Sequence, residues 1–186
     1  MNRTLLIRGV IGVIALQIAV LAGEYLNAVY PLWVGKEITL ETRPYDPRSM
    51  FRGNYARLNY DISSVDMSLA QTQPPLRNGE VIYVSLKYDE KKGLYIFDKA
   101  SLEKPSEGIF IRGRANFTYR SRTGPFRVRY GIEAYFAPKD KALQLEKDLR
   151  HGGIARIMLA SNGKAILKSV EPRQLPETPE NSDSTP

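Results

Sequence analysis

Hydrophobic and polar positions alternate most regularly between residues 109 and 136. From Ile109 the odd positions include Ile109, Ile111, Ala115, Phe117 and Tyr119, while Arg112, Arg114, Asn116, Thr118 and Arg120 fall between them. A period of two sends successive side chains to opposite faces, so this reads as a long strand with one apolar and one basic face. Ser121-Arg122-Thr123-Gly124-Pro125 reads as a turn. Beyond it Phe126, Val128, Tyr130, Ile132, Ala134 and Phe136 alternate with Arg127, Arg129, Gly131, Glu133 and Tyr135, which predicts a second strand in an antiparallel hairpin. The register puts Arg112, Arg114, Arg127 and Arg129 on one exposed side. Ile111, Phe117, Val128, Tyr130 and Ile132 then go to the core, because a one-residue slip would bury guanidinium groups.

Further strands are predicted at Tyr55–Ile62, Val81–Tyr88, Leu94–Leu102, Ile154–Ala160 and Ala165–Val170, with Lys36–Thr42 as an edge strand. Asn78-Gly79, Lys92-Gly93 and Asn162-Gly163 supply turns. One short helix is expected near residues 139–150, stopped by Gly152-Gly153, and a helical turn near Ser64–Ala70. The fold class is therefore mainly β, all-β to α+β: an antiparallel sheet, open barrel or sandwich-like.

The ends of the chain follow other patterns. Gly9 to Gly23 holds Gln17 as its one polar side chain, behind Arg3 and Arg8, and Tyr25, Tyr30 and Trp33 follow. A transmembrane helix needs about twenty apolar residues, and this run with an aromatic belt beyond it meets that need. A cleaved secretory signal, cut after Val20-Leu21-Ala22, and a buried soluble helix are the competing readings. With the arginines inside, everything past about residue 35 faces away from the cytoplasm. Residues 171–186 are acidic and Pro-rich and are expected to be disordered. The organisation is an anchor over 1–35, an extracytoplasmic domain over 36–170 and a tail over 171–186.

Composition narrows the chemistry. The chain has 186 residues, no Cys, one His and a net charge of +7. Thiol nucleophiles, disulfides and Cys-based metal sites are excluded, and a lone His151 cannot build a His cluster. No P-loop, Rossmann glycine pattern or Gly-x-Ser-x-Gly occurs, and no cofactor is implied. The anchor contributes little charge and the tail is acidic, so the basic excess sits in the middle. Such a domain suits anionic lipid, an anionic envelope polymer or an acidic partner. Nucleic acid conflicts with export.

Residues 53–60 read Gly53-Asn54-Tyr55-Ala56-Arg57-Leu58-Asn59-Tyr60, and residues 129–136 read Arg129-Tyr130-Gly131-Ile132-Glu133-Ala134-Tyr135-Phe136. With Arg112-Gly113-Arg114 between them, the chain resembles the GDYXXLXY domain proteins over roughly residues 5–170. Asn54 stands where the motif has Asp. The resemblance implies a bacterial single-span protein with its domain outside the cytoplasm, often encoded beside a multi-spanning membrane protein. It brings no catalytic residue.

Two candidate sites follow. One is the Asp46, Arg48, Arg52, Gly53, Asn54, Tyr55, Arg57 and Tyr60 segment, read either as a tight lead-in to a strand, with Asp46 capping a turn and pairing with Arg48 or Arg52, or as a binding loop. The other is the arginine face of Arg112, Arg114, Arg127 and Arg129, read as a solvated face or as an anion site of forked donors. Glu133 is expected to pair with one of these arginines, a general-acid role being the alternative. Two function classes stay open. The first is a non-enzymatic, membrane-tethered accessory of a multi-spanning protein. The second is a module binding anionic lipid or envelope polymer through the arginine hairpin. A hydrolase with a Ser–Lys or carboxylate site is the remaining reading.

Overall fold

The computed structural model describes residues 3–43, 55–66, 70–71, 76–117, 125–136, 138, 149 and 152–173. The expected helix near 139–150 apart from Leu149, the hairpin turn around 121–124 and positions 174–186 of the tail lie outside them.

Helix α1 runs from Arg3 to Val34. Its segment Ile7–Val34 is long and apolar enough to cross a membrane. The side chains from Ile7 to Asn27 are exposed, which removes the reading as a buried core helix. Pro31 lies within it and is fully buried. Proline has no N–H, so the carbonyl four residues earlier, on Asn27, loses its helical donor. The Lys164 ammonium group supplies one at 2.6 Å. Gly35 follows with its N–H on the Pro31 carbonyl at 2.9 Å. Its Cα packs so closely on Leu159 that β1 begins with no intervening linker.

Among the described residues twelve strands follow: β1 (Lys36–Arg43), β2 (Tyr55–Arg57), β3 (Asn59–Tyr60), β4 (Ser64–Val65), β5 (Ala70–Gln71), β6 (Val81–Asp89), β7 (Leu94–Ser101), β8 (Ile109–Asn116), β9 (Phe126–Arg129), β10 (Ala134–Phe136), β11 (Gly153–Leu159) and β12 (Ala165–Pro172). The main sheet runs β12-β11-β1-β7-β6-β8-β9-β4, with β3 on β1 and β5 on β7; β10 and β2 form a separate pair. The fold is mainly β, and the sheet does not close into a barrel. The sheet is mixed rather than wholly antiparallel, since β1 and β5 each run parallel to β7. β1 is not an edge strand. It pairs along its length with β11, and Ile38 and Leu40 are buried in the core.

The alternation read from the sequence is what fills the core. Ile82 and Val84 from β6, Ile111 and Ala115 from β8, and Phe126 and Val128 from β9 point inward together. Of the helical turn expected at Ser64–Ala70, residues 67–69 lie outside the described residues, and its two ends are in strands. A 3-10 turn occupies Asp61–Ser63, and Ser64–Val65 pairs with β9.

The second hairpin strand does not continue to Phe136. Gly131 has φ +84°, a left-handed conformation that a side chain would strain. There the chain leaves β8 and turns to pair with β2. Ala134 and Phe136 are consequently exposed, Phe136 at 76%, despite keeping the alternating pattern.

A basic groove across two joined motifs

The segments 55–60 and 129–136 meet in space. β2 pairs with β10, Arg57 opposite Ala134 and Tyr55 opposite Phe136. The Leu58 N–H donates to the Glu133 carbonyl at 2.8 Å. Two buried tyrosines tie the segments reciprocally. The Tyr60 hydroxyl donates to the Ile132 carbonyl at 2.7 Å, and the Tyr130 hydroxyl donates to the Ile62 carbonyl at 2.6 Å. Burial, and behind it the charge of Glu133, pushes both phenols above the ordinary tyrosine range. Tyr60 is thus a core residue and does not reach a binding surface.

Among the described residues Glu133 makes no ion pair with an arginine of the hairpin. Its carboxylate accepts the Tyr130 N–H at 2.5 Å and the Gly131 N–H at 2.9 Å. The reason is the turn at Gly131, which points these two amides back at the side chain. Glu133 therefore fixes the corner where β9 ends.

Above this corner lie two adjoining grooves of about 640 Å³ each, which share Asn116, Arg129, Gly131 and Glu133. Arg57, Asn59, Ser63 and Arg127 line the first; Arg112, Arg114 and Lys164 line the second. Among the described residues of the lining, Glu133 is the one acid, and it is turned to its own backbone.

The register explains the arginines. Arg114 faces Arg129 directly across β8 and β9, Asn116 faces Arg127, and Arg112 stands two residues along on the same side. All four are exposed. Arg114 donates to the Gly79 carbonyl at 2.9 Å, and Arg127 donates to Asn59 Oδ1 at 2.7 Å, which aim both guanidinium groups. Among the described residues none of the four is in an ion pair. Acids do neutralise the other half of the outer surface. Arg156 bridges Glu37 and Glu171, Lys168 pairs with Glu37, and Lys92 and Arg173 pair with Glu41. The hydrogen bond from Lys168 is the main cause of a lowered Glu37 pKa.

Ser63 was not singled out from the sequence. Its side chain is 4% exposed, it lines the first groove, and its Oγ has no hydrogen-bond partner among the described residues. A buried hydroxyl without a partner is costly and is usually met by water or a ligand. Asn59, Asn116 and Lys164 were also missed. Lys164 follows the Asn162-Gly163 turn, a signal for a hairpin but not for what its side chain reaches.

Of the other expected site residues, Asp46, Arg48, Arg52, Gly53 and Asn54 lie outside the described residues. Arg57 lines the groove, while of Tyr55 only the backbone pairing is described. Among the described residues no cluster of three His, Asp or Glu could hold a metal ion.

The arrangement defines a class: a β domain carried directly on a long apolar helix, with a basic groove where two motifs join. The chain belongs to the GDYXXLXY family, whose sequence model, described as GDYXXLXY protein, matches residues 17–170. No curated protein and no solved structure matches it.

Proposed function

We propose that the protein is a non-enzymatic interaction module tethered in a bacterial cytoplasmic membrane, whose groove receives an anionic group. In this reading α1 is an uncleaved single span, with Arg3 and Arg8 in the cytoplasm and the β domain on the periplasmic side.

The observation that carries the reading is the Arg114–Arg129 register. Like charges directly opposite on neighbouring strands destabilise a sheet. Here the repulsion persists among further arginines and beside a buried hydroxyl with no partner among the described residues, while acids neutralise the β12-β11-β1 surface. A bound anion offsets all of it at once, since guanidinium groups offer forked donors to phosphate or carboxylate.

The test is binding of polyphosphate to the full chain in uncharged detergent, across a salt series. Arg112→Gln with Arg129→Gln removes two groups that have no partner among the described residues. The wild type should bind with steep salt dependence and the variant weakly. Equal binding by both would overturn the reading.

A second reading is favoured by the helix. The apolar surface of α1 from Ile7 to Leu26 is left uncovered by the β domain, as a helix that packs on a multi-spanning partner requires. The groove and the helix would then make two contacts on one complex. Purification in mild detergent at native expression should recover that partner.

A further inference from the structure

Resting on the groove reading, we propose that the groove takes the head group of an anionic lipid from the membrane that α1 crosses, a head group with phosphates at and beyond the glycerol level. The argument is positional. At 1.5 Å per residue, about twenty residues use up the roughly 30 Å of hydrocarbon. Counted from Gly9, the first residue beyond the cytoplasmic Arg8, that reaches Val29. Asn27 is therefore within one helical turn of the level where hydrocarbon gives way to head groups. The Lys164 ammonium group is bonded to Asn27 through the backbone carbonyl at 2.6 Å and the side-chain Oδ1 at 3.2 Å.

Lys164 is also part of the groove lining, beside Arg112. The Arg112 N–H donates to the Gly163 carbonyl at 2.8 Å, so the turn that touches the helix also holds β8. The start of β8 is its helix end, because Ile109 and Phe110 share a cavity with Val34. From Arg112 the groove runs on along β8. Asn116, facing Arg127, is about 13 Å further on at 3.3 Å per residue. Ser63 lines that far groove. A single phosphate would satisfy one end. A head group with a second phosphate satisfies both, Arg112 and Lys164 at the end next to the helix and Arg127 and Ser63 at the other.

The experiment uses the full chain in nanodiscs of neutral lipid doped with phosphatidylglycerol or phosphatidylinositol bisphosphate as probes. Free inositol trisphosphate is the soluble arm, and polyphosphate the general anion control. The bisphosphate lipid should bind roughly tenfold more tightly than phosphatidylglycerol, and more tightly than the free head group. Arg112→Gln with Arg129→Gln should weaken it by roughly twenty-five-fold, about fivefold per arginine. Ser63→Ala should weaken the bisphosphate lipid and leave phosphatidylglycerol unchanged, with thermal unfolding confirming that each variant folds. Equal affinity for the two lipids would overturn the extended head group. Free inositol trisphosphate bound as tightly as the lipid would overturn the membrane source while leaving the anion groove standing. Failure of every arm would overturn both.

Discussion

The ammonium group of Lys164 donates to the backbone carbonyl of Asn27, 137 residues earlier, at 2.6 Å. Pro31 has vacated that carbonyl, so a helix defect and a hairpin lysine meet each other's need. Lys164→Ala should cost about 1.5–3 kcal/mol, the usual value for a hydrogen bond to a charged group. Pro31→Ala restores a helical N–H donor. In that background Lys164→Ala should cost markedly less. A double-mutant cycle of unfolding midpoints in detergent checks this, and strict additivity would show that the two residues are not coupled.

Gly113 of β8 packs directly against Val128 of β9 and Tyr130 just beyond it. A Cβ there would stand 2.4 Å from Val128 Cγ1 and 2.9 Å from Tyr130 Cδ1. Gly113→Ala should therefore lose about 1–3 kcal/mol through overpacking. Because it pushes β9 away from β8, polyphosphate affinity should fall with it. A chemical denaturation series measures the first effect, and a titration of the folded variant measures the second.

Much of this was legible, and what was not has physical causes. Inward residues such as Ile82, Val84, Ile111 and Val128 follow from period-two alternation alone, because one buried face enforces it. The same alternation misled at Ala134 and Phe136. The positive φ of Gly131 and the Glu133 cap turn the chain onto another strand, and no local pattern encodes which strand it joins. The place of β1 inside the sheet depends on β11, more than a hundred residues away. The arginine face was readable from spacing, whereas Ser63 and Lys164 enter the groove only through tertiary placement. Tyr60, a candidate binding residue by its place in the motif, is a core hydrogen-bond donor, which only the tertiary packing decides.

The paired tyrosines predict an alkaline limit. Tyr60 and Tyr130 have folded pKa values raised above the ordinary value near 10, first by burial and then by Glu133. Below about pH 10 both folded and unfolded phenols are neutral, so their contribution is fully present. Above it the unfolded chain ionises first and stability falls, by about 1.4 kcal/mol per pH unit for each tyrosine. The Tyr60→Phe, Tyr130→Phe double variant should start less stable, each carbonyl having lost its donor, but show a shallower decline. Unfolding free energies between pH 9 and 11 would reveal it; parallel curves would contradict the assignment.

Glu133 separates folding from binding. Glu133→Gln weakens the two charge-assisted bonds at the Gly131 turn and should cost about 1–2 kcal/mol. It also removes a negative charge from the groove lining. Polyphosphate should then bind the folded variant more tightly than it binds the wild type. Stability and affinity moving in opposite directions is the signature; both falling together would place Glu133 among the ligand-holding groups.

The central claim is that the arginines facing each other across β8 and β9 are held there for an anion. Thermal unfolding of the full chain with and without polyphosphate tests it most directly, comparing the wild type with Arg129→Gln. That change relieves the Arg114–Arg129 repulsion and leaves the bond from Arg114 to Gly79 in place. Without ligand the variant should be as stable as the wild type or more so, by up to about 1 kcal/mol. Polyphosphate should raise the wild-type midpoint by mass action and raise that of the variant far less. A variant that unfolds earlier without ligand, with polyphosphate lifting both midpoints equally, would contradict the account.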